Sequence, residues 1–279
     1  MRGLQTPVRA IRRQVFTEVA KLGFKANAET LVADMEAIPY EIVGEDSEVK
    51  YRESIYRARA VVRERLRLAM GLSLRPENKP VHLTAGVEAS NISEKYYEPP
   101  LMQVIPSGCE SCEENKYEVS NVCKGCLAHP CQEVCPRGAI SMVNGKSFID
   151  QDKCIKCGKC KSVCPYDAIA KKERPCKKAC GVNAITSDKL GRAYIDADKC
   201  VSCGMCMVSC PFGAISDKSQ IFQLARALSE GEEIVAEVAP AFVGQFGPNI
   251  NVRNFKAALE ELGFSETYEA VSYTHLRAH

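Results

Sequence analysis

The stretches IDQDKCIKCGKCKSVCPYDAI (149–169) and IDADKCVSCGMCMVSCPFGAI (195–215) are nearly one phrase written twice. In each, three cysteines stand at x2 spacing and a fourth follows after three residues, next to proline. These are Cys154, Cys157, Cys160 and Cys164-Pro165, then Cys200, Cys203, Cys206 and Cys210-Pro211. A variant with two extra residues precedes them at Cys123, Cys126, Cys131 and Cys135-Pro136. The end of the phrase recurs four times, as VCPRGAI (134–140), VCPYDAI (163–169), ACGVNAI (179–185) and SCPFGAI (209–215). An internal repeat of this kind sets the architecture of the region that carries it.

A cubane [4Fe–4S] cluster needs a thiolate at each of its four irons. Three cysteines at x2 spacing let a tight loop wrap three corners, and the fourth cysteine of such a run ligates the other cluster of a pair. Zinc sites use separated C-x2-C pairs around one tetrahedron, and disulfides contradict a reducing cytosol. A run of three cysteines followed by Cys-Pro favours iron–sulfur over both.

The linking phrases AISMVNGKSFID (139–150) and AITSDKLGRAYID (184–196) join repeat one to two and repeat three to four. The first has a hairpin-type Asn144-Gly145 at its centre. Exchanging the fourth cysteines within each pair assigns Cys123, Cys126 and Cys131 with Cys164, and Cys154, Cys157 and Cys160 with Cys135. In the second pair Cys200, Cys203 and Cys206 take Cys180. Cys109, Cys112, Cys176 and Cys210 remain; Cys176 stands where a third ligand belongs, and Cys109-Glu-Ser-Cys112 supplies the first two. The 16 cysteines thus divide into four sets of four, and four [4Fe–4S] clusters are expected. An interleaved pairing, repeat one with three and two with four, uses the same residues and stays open. His129, in the enlarged loop, is a further candidate ligand that the cysteine sets leave without a site.

All 16 cysteines lie between Cys109 and Cys210 in a chain of 279 residues, a length for about two domains. A net charge of +2 excludes a strongly basic nucleic-acid binder. No run of about 18 apolar residues marks a membrane span. MRGLQTPVRAIRRQ (1–14) lacks the apolar stretch of a secretory signal, so a cytoplasmic setting is expected.

The N-terminal region reads as helical. Val8, Ile11, Val15, Val19 and Leu22 form one stripe, with Gly23 as a stop. A second helix from about Ala28 should end before Pro39. A third, from about Tyr51 to Met70, puts Ile55, Ala58, Val62, Leu66 and Ala69 on one face, with Gly71 beyond. Its other side carries Arg52, Arg59, Arg63 and Arg67, a solvated face or a docking surface for an acidic partner. Residues 72–108, with Pro76, Pro80, Pro99, Pro100 and Pro106, read as an extended connector. The basic run Lys171, Lys172, Arg174, Lys177 and Lys178 reads as a solvated loop or as a receptor for an acidic ferredoxin. Beyond the last motif, Ile221, Leu224, Ala225 and Leu228 mark a short helix. IVAEVAPAF (234–242) reads as a buried parallel strand. Asn251 caps a helix carrying Val252, Phe255, Leu259 and Leu262 and ending at Gly263. FSETYEAV (264–271) completes one βαβ unit, which needs further strands to cover it.

The run from Cys123 to about Ala270 resembles the N-terminal part of an [FeFe] hydrogenase of the divergent branch with an extended ferredoxin-like region. The resemblance rests on VCKGCLAHPCQEVCPRGAI (122–140), CVSCGMCMVSCPFGAISDKSQIFQL (200–224) and EVAPAFVGQFG (237–247). Residues 1–122 fit more loosely. The resemblance implies that residues 218–270 open the domain of the H-cluster, whose binding cysteines lie beyond this sequence. It implies no catalytic residue here, and a redox carrier such as ferredoxin as the partner. VSYTHLRAH (271–279), with His275 and His279, departs from that family and reads as a translated sequencing-adapter artefact.

The expected fold is α+β. It comprises a helical region and connector at 1–108, two tandem two-cluster ferredoxin-like modules at 109–217, the first βαβ unit of a truncated α/β domain at 218–270, and an artefactual tail at 271–279. The expected function is the iron–sulfur relay of a hydrogenase-like protein, inactive toward H2 by itself. The alternative is a stand-alone [4Fe–4S] electron-transfer subunit of a multi-subunit oxidoreductase.

Overall fold

A computed structural model describes residues 5–25, 29–45, 52–90, 99–247 and 249–270. The helices α1 (Pro7–Lys25), α2 (Leu31–Ile42), α3 (Ile55–Ala69) and the one-turn α4 (Val87–Ser90) come first. There follow β1 (Met102–Val104), β2 (Lys116–Val119), α5 (Pro130–Glu133), β3 (Ile140–Val143), β4 (Lys146–Ile149), α6 (Lys159–Ser162) and β5 (Ile169–Lys172). Next are α7 (Pro175–Lys178), β6 (Ile185–Ser187), β7 (Ala193–Ile195), α8 (Met205–Ser209) and β8 (Ile215–Asp217). The chain then passes through α9 (Ile221–Glu230), β9 (Val235–Val238), α10 (Val252–Glu261) and β10 (Glu266–Glu269). Among the described residues the strands pair two by two: β1 with β8, β2 with β5, β3 with β4, β6 with β7 and β9 with β10. Helices thus accompany small sheets, with no barrel. Two compact units result, one of residues 108–215 and one of residues 4–107 with 216–279.

In the helical unit, Ile11, Val15, Val19 and Leu22 are buried along one side of α1, as their spacing predicts. They share a core with Met35, Val62, Leu66 and Phe222. Gly23 does not stop the helix, which runs on to Lys25. A Cβ at this position would meet the Ala225 Cβ and the Phe222 carbonyl oxygen, both at 2.7 Å. The glycine is there because α9 crosses at that point. Pro39 lies inside α2, not beyond it. It occupies the last turn, is buried, and its carbonyl still accepts the Val43 N–H at 3.2 Å. Burial outweighs the single backbone bond that proline forgoes. The expected helix starts at Ala28 and Tyr51 lie outside the described residues.

The arginines of α3 differ from both expectations. Arg67 is buried and donates to the carbonyl oxygens of Ser73, Leu83 and Ala85 at 2.9, 2.6 and 2.9 Å. Arg59 donates to the Val43 carbonyl at 2.9 Å and lies over the Tyr40 ring. Arg63 donates to the Tyr40 hydroxyl at 2.8 Å. Their charge-assisted bonds pin α2 and the neighbouring loops to α3, each a stronger tie than a neutral pair.

At the C-terminal end β9 and β10 pair in parallel, from Val235 opposite Glu266 to Val238 opposite Glu269, with α10 between them in the chain. Asn251 caps α10 by accepting the Asn254 N–H at 2.9 Å. The strand read as buried is not: Val235 is exposed and only Ala236 is buried. One parallel pair with a single connecting helix leaves β9 largely open, so a continuous apolar run does not by itself mean a strand buried on both faces. The tail 271–279, with His275 and His279, lies outside the described residues.

Candidate iron–sulfur site

The four recurring phrases fold into four equivalent turns. After each cysteine the chain makes an i to i+3 bond, Gly138 to Cys135, Asp167 to Cys164, Asn183 to Cys180 and Gly213 to Cys210, at 3.2 to 3.3 Å. The donor residue of each turn is left-handed, with φ of 56° at Gly138, 47° at Asp167, 53° at Asn183 and 60° at Gly213. Gly, Asp and Asn tolerate that conformation best. The reversal aims the next N–H back at the sulfur: Ala139 at Cys135 (3.3 Å), Ala168 at Cys164 (3.4 Å), Ala184 at Cys180 (3.3 Å) and Ala214 at Cys210 (3.4 Å). The Cys-x3-Ala-Ile repeat therefore encodes a sulfur that already accepts a backbone hydrogen bond. The isoleucine that follows points inward; Ile140, Ile169, Ile185 and Ile215 are all buried.

The triplets share a second local device. The residue before each middle cysteine is left-handed: Gly125 (58°), Lys156 (59°) and Ser202 (55°). Ser111, before Cys112, is left-handed too, with φ of 46°. Gly125 admits no side chain, since a Cβ there would lie 2.0 Å from the Gly145 carbonyl oxygen at the tip of the β3–β4 hairpin. In the enlarged loop His129 is left-handed (40°) and its carbonyl accepts from Gln132 and Glu133. It starts α5 through its backbone.

These turns bring the thiols together in groups. Cys123, Cys126, Cys131 and Cys164 line one cavity of about 320 Å³, counting space open to solvent, closed by Val119, Pro165 and Ile169. Cys135, Cys154, Cys157 and Cys160 line a second of about 330 Å³, against Tyr117, Ile140 and Ile149. Cys135 and Cys164 are thus exchanged between the two triplets. Cys200, Cys203 and Cys206 are electrostatic neighbours. Cys109, Cys112, Cys176 and Cys210 also influence one another, although Cys112 and Cys176 are far apart in sequence. All 16 cysteines are free of disulfides.

The donor chemistry fits a [4Fe–4S] cluster: four soft sulfurs line each of the two cavities, and backbone N–H groups reach Cys135 and Cys164 among them. Ser147 tunes the first group. Its backbone N–H holds the Cys123 thiol below the usual range, helped by that of Gly125, and its hydroxyl lies 3.3 Å from the Cys131 sulfur. Burial acts oppositely on the inner cysteines. It pushes the Cys176 thiol up to about 12 and the Cys206 thiol up to about 11, with neighbouring thiols adding to both. Such thiols keep their protons at neutral pH until iron takes the proton's place, so cluster binding must release protons.

Arg174 is the residue that sequence reasoning misplaced. It is 4% exposed. Its guanidinium donates to the Cys112 carbonyl at 2.8 and 3.0 Å, to the Gly191 carbonyl at 2.7 Å and to the Ser187 hydroxyl at 3.1 Å, and pairs with Glu114 at 3.1 Å. It therefore ties the place where residues 113–173 leave the second group to the place where they return. The rest of the basic run is also internally paired: Lys171 and Lys178 with Glu173, Lys172 with Glu118, and Lys177 with Glu114. It offers no free cationic surface.

The 4Fe-4S binding domain family matches residues 148–170 and 193–216. Among curated proteins, an uncharacterized ferredoxin of Methanocaldococcus jannaschii is 38% identical over 65 residues, covering 23% of this chain and 39% of that protein. A probable iron-sulfur subunit of the Frd operon of Proteus vulgaris is 41% identical over 69 residues, covering 24% and 44%. The electron transport protein HydN of Escherichia coli strain K12 is 43% identical over 56 residues, covering 20% and 32%. The chain thus spans less than half the length of each of these relatives. Residues 148–170 and 193–216 are thus ferredoxin-type [4Fe–4S]-binding segments. The hydrogenase resemblance does not survive: these relatives are named as a ferredoxin, a probable iron-sulfur subunit and an electron transport protein, and the family match is to the cluster-binding domain alone. Two of the three phrases that carried it are cysteine runs that wrap a cubane, so they report the cofactor and not the enzyme, and the third, EVAPAFVGQFG (237–247), lies outside the family match.

Proposed function

We propose that the chain is an iron–sulfur electron-transfer subunit that holds four [4Fe–4S] clusters and passes single electrons between a soluble carrier and a separate redox protein. The four equivalent turns, each with an alanine N–H on a cysteine sulfur at 3.3 to 3.4 Å, carry this reading. The ligand sets are Cys123, Cys126, Cys131 and Cys164; Cys154, Cys157, Cys160 and Cys135; Cys200, Cys203, Cys206 and Cys180; and Cys109, Cys112, Cys176 and Cys210. The region 109–217 then consists of two two-cluster modules, the first set into the second between Cys112 and Cys176. When bound, such clusters supply one-electron chemistry. The chain's part is to surrender thiol protons, direct backbone N–H groups at the sulfurs, and keep water away with Ile140, Ile169, Ile185 and Ile215. Backbone N–H groups at a thiolate favour its more negative state, so the four turns set the ease of reduction. Four thiolates per cluster leave no open coordination site, which is the pattern of a carrier. Like the probable iron-sulfur subunit of the Frd operon, it would work as one subunit among others.

Iron and sulfide analysis after anaerobic reconstitution should give about 16 Fe per chain. Cys135→Ala should remove about four of them and change the spectrum of the set at Cys154, Cys157 and Cys160. A plateau at about eight Fe in the parent chain, with Cys109, Cys112 and Cys176 still open to alkylation, would overturn the four-cluster assignment.

A further inference from the structure

Two of the 16 cysteines are exposed, Cys157 and Cys203, and they occupy the same place in the two complete runs. Their surroundings differ. In the first run Lys156 and Lys159 flank Cys157 on the rim of its cavity, with Lys161 two residues on in α6. All three lysines are exposed, and among the described residues none makes an ion pair. In the second run the matching positions are Ser202, Met205 and Met207. Lys199, the cation nearest in sequence to that run's cysteines, pairs with Asp196 at 2.9 Å. Lys156 even holds the left-handed backbone that Ser202 holds (59° against 55°). The turn therefore does not require lysine, and neither does the burden of negative charge on a cluster, since the twin site would carry the same charge without it. Beside each exposed cysteine an apolar side chain also stands in solvent, Ile155 at 57% and Val201 at 65%.

We propose that Lys156, Lys159 and Lys161, with the exposed Ile155 beside them in the chain, form the docking surface for an acidic electron-carrier protein, delivered against Cys157. This rests on the electron-transfer reading and names its diffusing partner. Unpaired cations around an apolar contact steer an anionic protein into register and accelerate encounter. The basic run at 171–178 cannot do this, because Glu113, Glu114, Glu118 and Glu173 already neutralise it.

The test is binding of a strongly acidic plant-type [2Fe–2S] ferredoxin to the reconstituted chain, measured by titration calorimetry at low and at high ionic strength. Lys156→Gln with Lys159→Gln should raise Kd about tenfold at low salt, and the difference should close as salt screens the charges. Lys171→Gln with Lys178→Gln removes two charges elsewhere and should leave Kd unchanged. Iron content of both double variants should match the parent. Equal losses in the two double variants, or no binding by the parent chain at low salt, would overturn the docking surface. So would a fall of iron content in the Lys156 and Lys159 pair, which would make these lysines supports of the cluster. Failure of the electron-transfer reading is a separate result: a parent chain that takes up no iron.

Discussion

The two units solve the same problem, holding a compact shape, by opposite means. The helical unit buries Val15, Val19, Met35, Val62, Leu66 and Phe222 in one continuous apolar core. In the cysteine-rich unit, Tyr117, Ile140, Ile149 and Ile169 form a small apolar cluster whose other buried members are Cys131 and Cys160. Its strands are three or four residues long and pair only two by two. Two-stranded pairs of that length are marginal in water. Cysteines therefore hold this unit as leucines and valines hold the helices, provided iron joins them. Metal binding and folding are then one equilibrium in residues 108–215 and unrelated ones in the rest.

The largest effect should come from breaking that link directly. Stripping iron with a chelator under an oxidant should cost the 108–215 unit its tertiary structure. Limited proteolysis should then cut between residues 109 and 215, while the far-ultraviolet helical signal of α1, α2 and α3 persists. If the stripped chain stays as resistant as the loaded one, the isoleucines suffice and the contrast between the units is false.

A smaller, more local break is Arg174→Ala. Removing the buried guanidinium leaves the Cys112 and Gly191 carbonyls unsatisfied, at about 1–3 kcal/mol for each, while Glu114 keeps Lys177 and Ser187. Residues 109–112 and 176 should then drift apart, and iron content should drop by about a quarter, one cluster in four. Arg174→Lys should not restore it, because an ammonium cannot span these acceptors as the planar fork does. Full iron content in Arg174→Ala would show that Cys112 and Cys176 meet without the tie.

Legibility in the sequence follows the range of the interactions. The stripe of α1 and the triplet spacing are local, and periodicity and repetition reveal them. Gly23 and Pro39 carry the usual marks of a helix end, yet both sit inside helices because α9 and the core around α2 outweigh local preference. The arginines of α3 and the run at Lys171–Lys178 are visible as charge, but their partners are set by loops and by glutamates that only the fold brings near. Arg174 is hidden for the same reason: nothing local says that residue 112 lies beside residue 174. The hydrogenase likeness fails differently, because two of its three phrases wrap a cofactor and are taken as the mark of one enzyme. Even the Cys-x3-Ala-Ile phrase is visible without its meaning, which lies in the left-handed residue before the alanine.

That residue gives the smallest expected effect and the finest test of the contrast. At Asn183 a glycine should be accepted, since Gly138 and Gly213 hold the same place in sister turns. Asn183→Val should not, because a β-branched side chain resists positive φ, at a cost of about 1–2 kcal/mol. In a unit held by a hydrophobic core such a strain would appear as a lowered unfolding midpoint. Here it should appear at the sulfur: the Ala184 N–H would swing off Cys180, removing a bond of 3.3 Å that favours the more negative thiolate. The cluster next to Cys180 should therefore become harder to reduce and lose iron faster to a chelator, while the helical transition keeps its midpoint. Equal reduction potentials and equal iron loss for the valine and glycine variants would mean that the turn only reverses the chain and that its hydrogen bond to sulfur is incidental.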